Sequence, residues 1–568
     1  MSKYLLTNAV IFTSDDRKPF ADSVGIMGDR IVYVGNGDPD GAYADLLAEA
    51  TKVDLERRMV VPGFCDSHIH PGMVSQSAWH IRLPWYDDPA DVPKLLDFVK
   101  DYAQTHPKEE APFLYFEYYP TSLFGDIGPT KELLDSAVSD RPCLLQDFGE
   151  HLAWVNSKCL ECMGVNRDTP DPSELEAFVR YADGEPTGWV REMAHLHFFD
   201  NISKSIGWAP PMDMTPDTME AFFSFLPENG ITAIGEGILE EGQMEAMAEL
   251  ERQGRLYCYY DGCVRFWTLE DLPAKIAYLR ELSAKYTSRH LKLNTMKLFL
   301  DGTNESGNSA LLSPHIKDET GMNFGAIQME EDELTECFSI CNREGLDLHI
   351  HMVGDRAFHV GCNSMERARL IAEGEGIPWV CQPVFAHCEL IAPEDRPRVK
   401  ELGITINWSC HWAGGYFGEE ARNFISEEKW DSMYDFTEII ESDALVAFSS
   451  DVVTMYELHR ANPLFGMQVS HTRIDPEFPL DSERFPDSMR PRASARLPLD
   501  ILLKGYTIGS ARQMRRDGEL GSITEGKIAN LCVLSDNLFE VRDDGIKDIR
   551  FEAVLMDGEI VSGSLPSW

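Results

Sequence analysis

Two histidines one residue apart, His68 and His70, are the first candidates for chemistry in this chain. They end an apolar run that Pro71 and Gly72 stop. On an extended strand, residues i and i+2 point the same way, so both imidazoles would project from one face of the strand's C-terminal end. Two imidazoles placed side by side form half of a site for a cation such as zinc. The alternative is a pair of surface histidines near a turn.

A lysine inside an apolar strand is the second candidate. Lys297 lies within residues 296–300 and would share a face with Phe299 and Asp301. Burial of an ammonium without a partner is costly and lowers its pKa. A neutral amine in such a place can react with carbon dioxide to give a carbamate, which is an anionic bidentate oxygen ligand. The alternative is a lysine that pairs with Asp301 or another acid.

Three later strand ends carry further ligand types. His349 and His351 form a second His-x-His, of which one could bind a metal while the other supports it or lines the interior. His387 ends the next strand, where it could also be a packed core histidine. Asp451 follows the last strand, where it could also be a helix N-cap.

The elements that would position these residues alternate between strand and helix. Eight such strands predict an α/β fold, a (β/α)8 TIM barrel, with its chemistry at the C-terminal strand ends. The first strand leads into His68, and the other seven are predicted at 231–234, 256–260, 296–300, 346–351, 384–387, 404–409 and 445–449.

Short strands with turn signals fill both ends of the chain. Residues 1–60 and 515–568 therefore predict one small β-sandwich domain built from both termini, flanking a barrel at 61–514. Residues 71–229 contain strands of their own and predict a large insertion, or cap, after the first barrel strand.

Composition narrows the class of protein. The 568 residues carry a formal net charge of −44, which opposes binding to nucleic acid or to an anionic membrane. No apolar run is long enough to span a bilayer, and the N-terminal residues lack the features of a signal peptide. The 13 cysteines are scattered and many lie in apolar runs, which is typical of reduced thiols in a cytoplasmic protein.

Taken in order, the candidates are His-x-His on strand one, Lys on four, His on five and six, and Asp on eight. This order resembles the amidohydrolase superfamily of metal-dependent hydrolases. Four segments are similar to its family 3, in the branch of N-substituted formamide deformylase-like (YtcJ-like) proteins: 297–302, 351–357, 151–157 and 183–188.

The resemblance implies a set of metal ligands and a reaction. The implied ligands are His68, His70, Lys297 as its carbamate, His351 and His387, with Asp451 beside one or two Zn²⁺ ions. The expected reaction is hydrolysis of a non-peptide C–N bond, in a linear amide or N-substituted formamide, with Asp451 as general base and then acid. Residues 303–311 vary among relatives, so their contacts with substrate do not transfer.

Other residues are expected to contact a small-molecule substrate. His151 is a candidate catalytic group, and aromatic residues in the insertion and near the late strand ends would suit an apolar or aromatic substrate. The candidates for substrate binding are Trp79, Trp154, His349, His411 and Trp412, with Tyr416 near them.

A decarboxylase or esterase on the same barrel is the alternative function, and a non-catalytic structural relative is the less favoured one. A homodimer or higher homo-oligomer is expected.

Overall fold

A computed structural model of the chain describes residues 3–86, 88–124, 128–316, 320–415 and 418–566. At its centre, eight parallel strands pair in chain order, so the predicted barrel is confirmed. These strands are β1 (Phe64–Ile69), β2 (Ile231–Glu236), β3 (Tyr259–Arg265), β4 (Leu291–Phe299), β5 (Asp347–Met352), β6 (Pro383–His387), β7 (Thr405–Ser409) and β8 (Val446–Ser449).

The first and last strands of the barrel meet and nearly close it. Ser67 Oγ donates a hydrogen bond to the Phe448 carbonyl at 3.2 Å. Just beyond β8, the Asp451 N–H donates to the His68 carbonyl at 2.8 Å. The C-terminal ends of all eight strands therefore surround one opening, where barrels of this type carry their chemistry.

Helices cover the outside of the barrel. Thr215 caps the first of them, because its side chain accepts a hydrogen bond from the Thr218 N–H. Gly345 and Gly376 take left-handed backbone conformations and end two of the longest. The helices are Pro216–Glu228, Gln243–Arg252, Leu272–Tyr286, Glu331–Glu344, Asp355–Glu375, Arg396–Leu402, Thr437–Glu441 and Leu499–Lys504.

Strand β3 differs from its prediction: it begins at Tyr259 and continues to Arg265. Its Asp261-Gly262 pair has the composition of a turn, which is why the sequence favours an earlier end. In the structure, Asp261 instead accepts a hydrogen bond from Arg516. A Cβ on Gly262 would lie 2.7 Å from the Tyr260 ring, so glycine is needed for close packing rather than for a turn.

Both ends of the chain contribute to a pair of sheets beside the barrel. One sheet contains Arg30–Gly35, Ser23–Met27, Lys3–Thr7 and Thr51–Asp54. The other contains Glu559–Gly563, Phe551–Met556, Leu531–Leu534, Met59–Pro62, Val10–Phe12 and Phe20–Ala21. Leu6 and Ile26 of the first sheet share a core with Leu531 and Leu555 of the second. The division into domains at 60/61 and 514/515 stays a prediction.

Between β1 and β2, the insertion forms a mixed sheet of six strands. In spatial order these are Ala177–Arg180, Pro186–Arg191, Leu152–Val155, Cys143–Asp147, Leu114–Tyr119 and Ile81–Arg82. The helices Val92–Thr105, Ser157–Met163 and Phe199–Ile206 belong to the same segment.

The insertion is attached to the segment that follows β8. Thr454 Oγ1 donates to Glu117 Oε2 at 2.7 Å, and Tyr118 OH donates to Glu457 Oε1 at 3.1 Å. Because Glu117 and Glu457 are both buried, these bonds satisfy groups that would otherwise be costly. The insertion thus lies beside the C-terminal opening of the barrel.

Two simpler features complete the fold. All 13 cysteines are free and buried, and Cys159 and Cys162 pack in the helix Ser157–Met163. Among the described residues, no helix is both long and apolar enough to cross a membrane.

Candidate active site

His68 and His70 enter the opening from the end of β1. Their ring centroids are 5.4 Å apart, and the backbone N–H of His70 donates to the Val452 carbonyl at 3.2 Å. Gly237, just past β2, leaves room for both rings, because a Cβ there would lie 2.3 Å from His70 Cε1 and 2.7 Å from His68 Cδ2. The ends of β1 and β2 therefore fix the two imidazoles together.

Asp451 lies at the centre of the histidines. Its Oδ1 is 2.9 Å from His70 Nε2 and 3.5 Å from His68 Nε2, while its Oδ2 is 3.5 Å from His387 Nδ1. The ligand atoms of His68, His387 and Asp451 all lie within 4.8 Å of one another. Asp451 and His387 both have positive φ, 55° and 71°, and such strain is typical of functional sites.

Lys297 points into the same cluster from β4. Its side chain is fully buried, and Nζ lies 3.3 Å from His68 Nε2. Asp301 is not its partner, because that carboxylate accepts three backbone N–H bonds, from Ala310, Val353 and Gly354. Burial lowers the pKa of Lys297 to about 8. About a tenth of the amine is therefore neutral at pH 7, far more than for an ordinary lysine, and carbamate formation requires this neutral form.

The two histidines of β5 occupy different depths. His351 lines the cavity, and its ring centroid is 4.4 Å from that of His387. His349 lies one layer deeper in the barrel, with its ring centroid 4.6 Å from that of His68, and it does not line the cavity. His351 therefore stays a predicted ligand, whereas His349, which was also a predicted substrate contact, does not reach the cavity.

The residues of the cluster fit a divalent metal ion. His68 Nδ1, His70 Nδ1 and His351 Nε2 are buried without a hydrogen-bond partner in the described part of the chain. Burial also lowers the pKa of His68, His351 and His387 well below the ordinary value, so their imidazoles are neutral. Neutral imidazoles and a carboxylate together are a donor set that zinc accepts.

His151 joins the site from the insertion. Its ring centroid is 5.3 Å from that of His351, and its Nδ1 is 2.5 Å from Glu192 Oε2. Burial alone would lower the pKa of His151, but the Glu192 carboxylate outweighs this effect and raises it to about 9. Glu192 has no recognisable signal in the sequence, because nothing there shows that it lies beside His151.

The other predicted contact residues lie in different places. Trp412 lines the cavity and stacks on His387, with centroids 5.3 Å apart and ring planes 17° apart. His411 lies behind the site, where its Nε2 donates to the Ser450 carbonyl at 2.7 Å. Trp154 and Trp79 pack inside the insertion rather than on the cavity wall. Tyr416 lies outside the described residues.

A cavity of about 100 Å³ lies over the cluster. Apolar and aromatic side chains form much of its wall: Met73, Phe148, Met193, Phe299, Trp412 and Tyr434. Sequence reasoning missed a second group of lining residues, the glutamates Glu150, Glu305, Glu389, Glu420 and Glu457. These come from five separate segments of the chain, two of them short 3-10 helices, so no spacing in the sequence relates them.

Comparisons with known proteins agree with this arrangement. A sequence model of the protein family described as "Amidohydrolase family" matches residues 51–562. The chain is 23% identical over 574 residues to an N-substituted formamide deformylase of Arthrobacter pascens, covering 98% of each chain. It is 25% identical over 564 residues to YtcJ of Bacillus subtilis (strain 168), covering 94% of this chain and 96% of that one.

A solved structure shares the fold. It is an uncharacterized metal-dependent hydrolase from Pyrococcus horikoshii OT3, with a TM-score of 0.67 at 21% identity, covering 96% of this chain and 99% of that chain. The match of the family model over residues 51–562 confirms the resemblance inferred from the sequence motifs.

Proposed function

Because the chain belongs to the amidohydrolase family, we propose that it hydrolyses a non-peptide C–N bond, in a linear amide or an N-substituted formamide. The observation that carries this proposal is the approach of His68, His387 and Asp451 to one another beside Lys297, at the C-terminal end of the barrel. The similarity to a protein named N-substituted formamide deformylase supports the choice of bond.

Six side chains would hold the metal. They are His68, His70, Lys297 as its carbamate, His351, His387 and Asp451. When bound, one or two zinc ions supply a water that ionises near neutral pH and a positive charge that polarises the substrate carbonyl. The neutral state of the buried histidines leaves their lone pairs available for this role.

Asp451 accepts and then donates the proton in the proposed reaction. The water oxygen forms a bond to the carbonyl carbon while the Asp451 carboxylate takes the water's proton. The C–N bond then breaks, and Asp451 gives that proton to the leaving nitrogen, so the products are a carboxylic acid and an amine. His70 Nε2, at 2.9 Å from Asp451 Oδ1, keeps the carboxylate oriented during both transfers.

His151 and Trp412 would position the substrate. His151 remains an imidazolium at neutral pH because Glu192 raises its pKa to about 9, so it can donate a hydrogen bond into the cavity. Trp412 stacks on His387 and presents an apolar edge to the same space. Assembly as a homodimer or higher homo-oligomer and a cytoplasmic location remain parts of the proposal.

Metal content of the purified protein is the first test. Elemental analysis of the wild type should find about two zinc ions per chain, falling sharply in Lys297→Ala. The same samples are then assayed on N-substituted formamides, acyl-amines and matched esters.

Each outcome has a distinct meaning. One metal ion, unchanged by the substitution, would make Lys297 structural and the site mononuclear. Faster cleavage of esters than of amides would replace the C–N bond with an ester bond. The absence of metal from both proteins would contradict the catalytic proposal.

A further inference from the structure

The wall of the cavity is rich in carboxyl groups. Glutamates reach it from the insertion and from the segments after β4, β6, β7 and β8. Among the described lining residues, the basic side chains other than the clustered histidines are Lys297 and His151, and His151 is already paired with Glu192. We infer that the substrate carries a positively charged group, an ammonium or amidinium, which these carboxylates bind. This inference rests on the proposed function, because it names the substrate class of the same site.

Glu150 shows most directly that a ligand is expected. Its Oε1 is shielded from solvent and has no hydrogen-bond partner in the described part of the chain, yet its side chain lines the cavity. Burial and the nearby acids Glu117, Asp147 and Glu457 raise its pKa well above the ordinary value. A carboxyl oxygen that is shielded from water and has no donor is costly, and a cationic ligand would supply the missing donor.

A second pair of carboxyl groups lies on the segments after β4 and β6. Glu389 accepts a hydrogen bond from Asn304 Nδ2 at 2.8 Å, and its side chain lines the cavity. Glu305 shares the cavity wall with it. A cation that binds between or beside them would find hydrogen-bond acceptors on both side chains.

No arginine is among the described residues that line the cavity, and two buried arginines, Arg460 and Arg490, are already engaged. Arg460 forms ion pairs with Asp475 at 2.5 Å and with Glu477 at 2.6 Å. Arg490 is fully buried behind the wall, where it lies over the Trp430 ring and donates to the Trp430 carbonyl. Neither arginine lines the cavity, so neither offers a binding site for a carboxylate-bearing substrate.

The remaining wall suits a cation on an apolar stem. Phe148, Trp412 and Tyr434 present aromatic rings to the cavity, and such faces attract ammonium groups as well as methylene chains. A mono-acylated diamine has this chemistry: an amide at the metal end, a short hydrocarbon and an ammonium at the glutamates.

Three formamides of matched length test the inference in the metal-loaded enzyme. They are N-(4-aminobutyl)formamide, which is cationic, N-pentylformamide, which is neutral, and 5-formamidopentanoate, which is anionic. We expect kcat/KM for the cationic compound to exceed that for the neutral one by at least about tenfold, with the anionic one slowest. Equal or faster turnover of the neutral compound would overturn the inference and leave the proposed function intact.

Two variants and a control test whether Glu150 and Glu305 cause the preference for the cationic compound. Glu150→Gln and Glu305→Gln should each reduce the ratio of cationic to neutral turnover severalfold. Glu161→Gln makes the same substitution at an exposed position of the insertion and should leave the ratio unchanged. Unchanged ratios in both cavity variants would count against the assignment of the cation to these carboxylates.

Calorimetry with butylamine, which is cationic at neutral pH, and with the neutral 1-butanol separates the inference from the proposed function, since it requires no turnover. Tighter binding of butylamine would support the cation pocket even if every amide tested were inert. Equal affinities for the amine and the alcohol would contradict it.

Discussion

The cavity has two ends that are built in different ways. At the metal end, His68, Lys297, His351 and His387 stand on barrel strands that are buried on both sides. At the glutamate end, the side chains come from loops and from the insertion. A strand fixes a side chain within a hydrogen-bonded sheet, whereas a loop can change its length and sequence at little cost to the fold. We infer that the metal end determines the reaction and the glutamate end selects the substrate.

The largest expected effect is at the metal end. Asp451→Asn removes the proton acceptor and should lower kcat by roughly 10²–10⁴-fold, because general base catalysis is typically worth that much. The measurement is steady-state hydrolysis of the best formamide, with metal content determined on the same sample. Asp443→Asn, at a fully exposed position, is the control. Retention of more than about a tenth of the activity in Asp451→Asn would assign proton transfer to another group.

A smaller effect is expected where the backbone makes room for the ligands. In Gly237→Ala the new Cβ meets both His68 and His70, so the rings must move. Zinc affinity should fall about 10–100-fold, and unfolding free energy by about 1–3 kcal/mol. Gly518→Ala is the matched control, because nothing lies within 4 Å of a Cβ there and its backbone is not in the left-handed region. Unchanged zinc affinity in Gly237→Ala would show that the rings tolerate the added methyl group.

The smallest effect should appear as a change in pH dependence at the insertion. Glu192 raises the pKa of His151 from 6.5 to about 9, so the imidazolium persists through neutral pH and is lost as pH rises through about 9. Glu192→Gln should shift the alkaline limb of the kcat/KM profile to lower pH and reduce kcat/KM severalfold at pH 8.

The same pair has a consequence for stability. Its contribution is fully present below pH 6.5, the ordinary pKa of histidine, and is lost as pH rises through about 9. Thermal unfolding of wild type and Glu192→Gln should therefore differ most at acidic to neutral pH and converge above about pH 9. For the kinetic measurement, an identical alkaline limb of the kcat/KM profile in wild type and Glu192→Gln would exclude His151 as the titrating group.

The two ends also differ in how well the sequence predicts them. The barrel and the strand-end positions of His68, Lys297, His387 and Asp451 could be predicted, because apolar runs that end in ligand residues are local patterns. The turn-like composition of Asp261-Gly262 misled the prediction of β3, because contacts with Arg516 and Tyr260 decide the backbone there.

The glutamate end could not be predicted, since its carboxyl groups meet only through tertiary packing. The same limit applies to the aromatic residues. Trp412 faces the cavity while Trp154 is buried with its Nε1 donating to the Thr130 carbonyl, and residue type alone does not distinguish them.

The contact between His70 and Asp451 joins residues 381 positions apart in the chain. A growing polypeptide therefore cannot assemble the complete metal centre until β8 has left the ribosome and closed against β1. Before that point the growing chain offers a metal ion isolated histidine pairs, but not the full set of proposed ligands. Metal loading is thus coupled to completion of the barrel, and a chain truncated before residue 451 should fail to retain the ion.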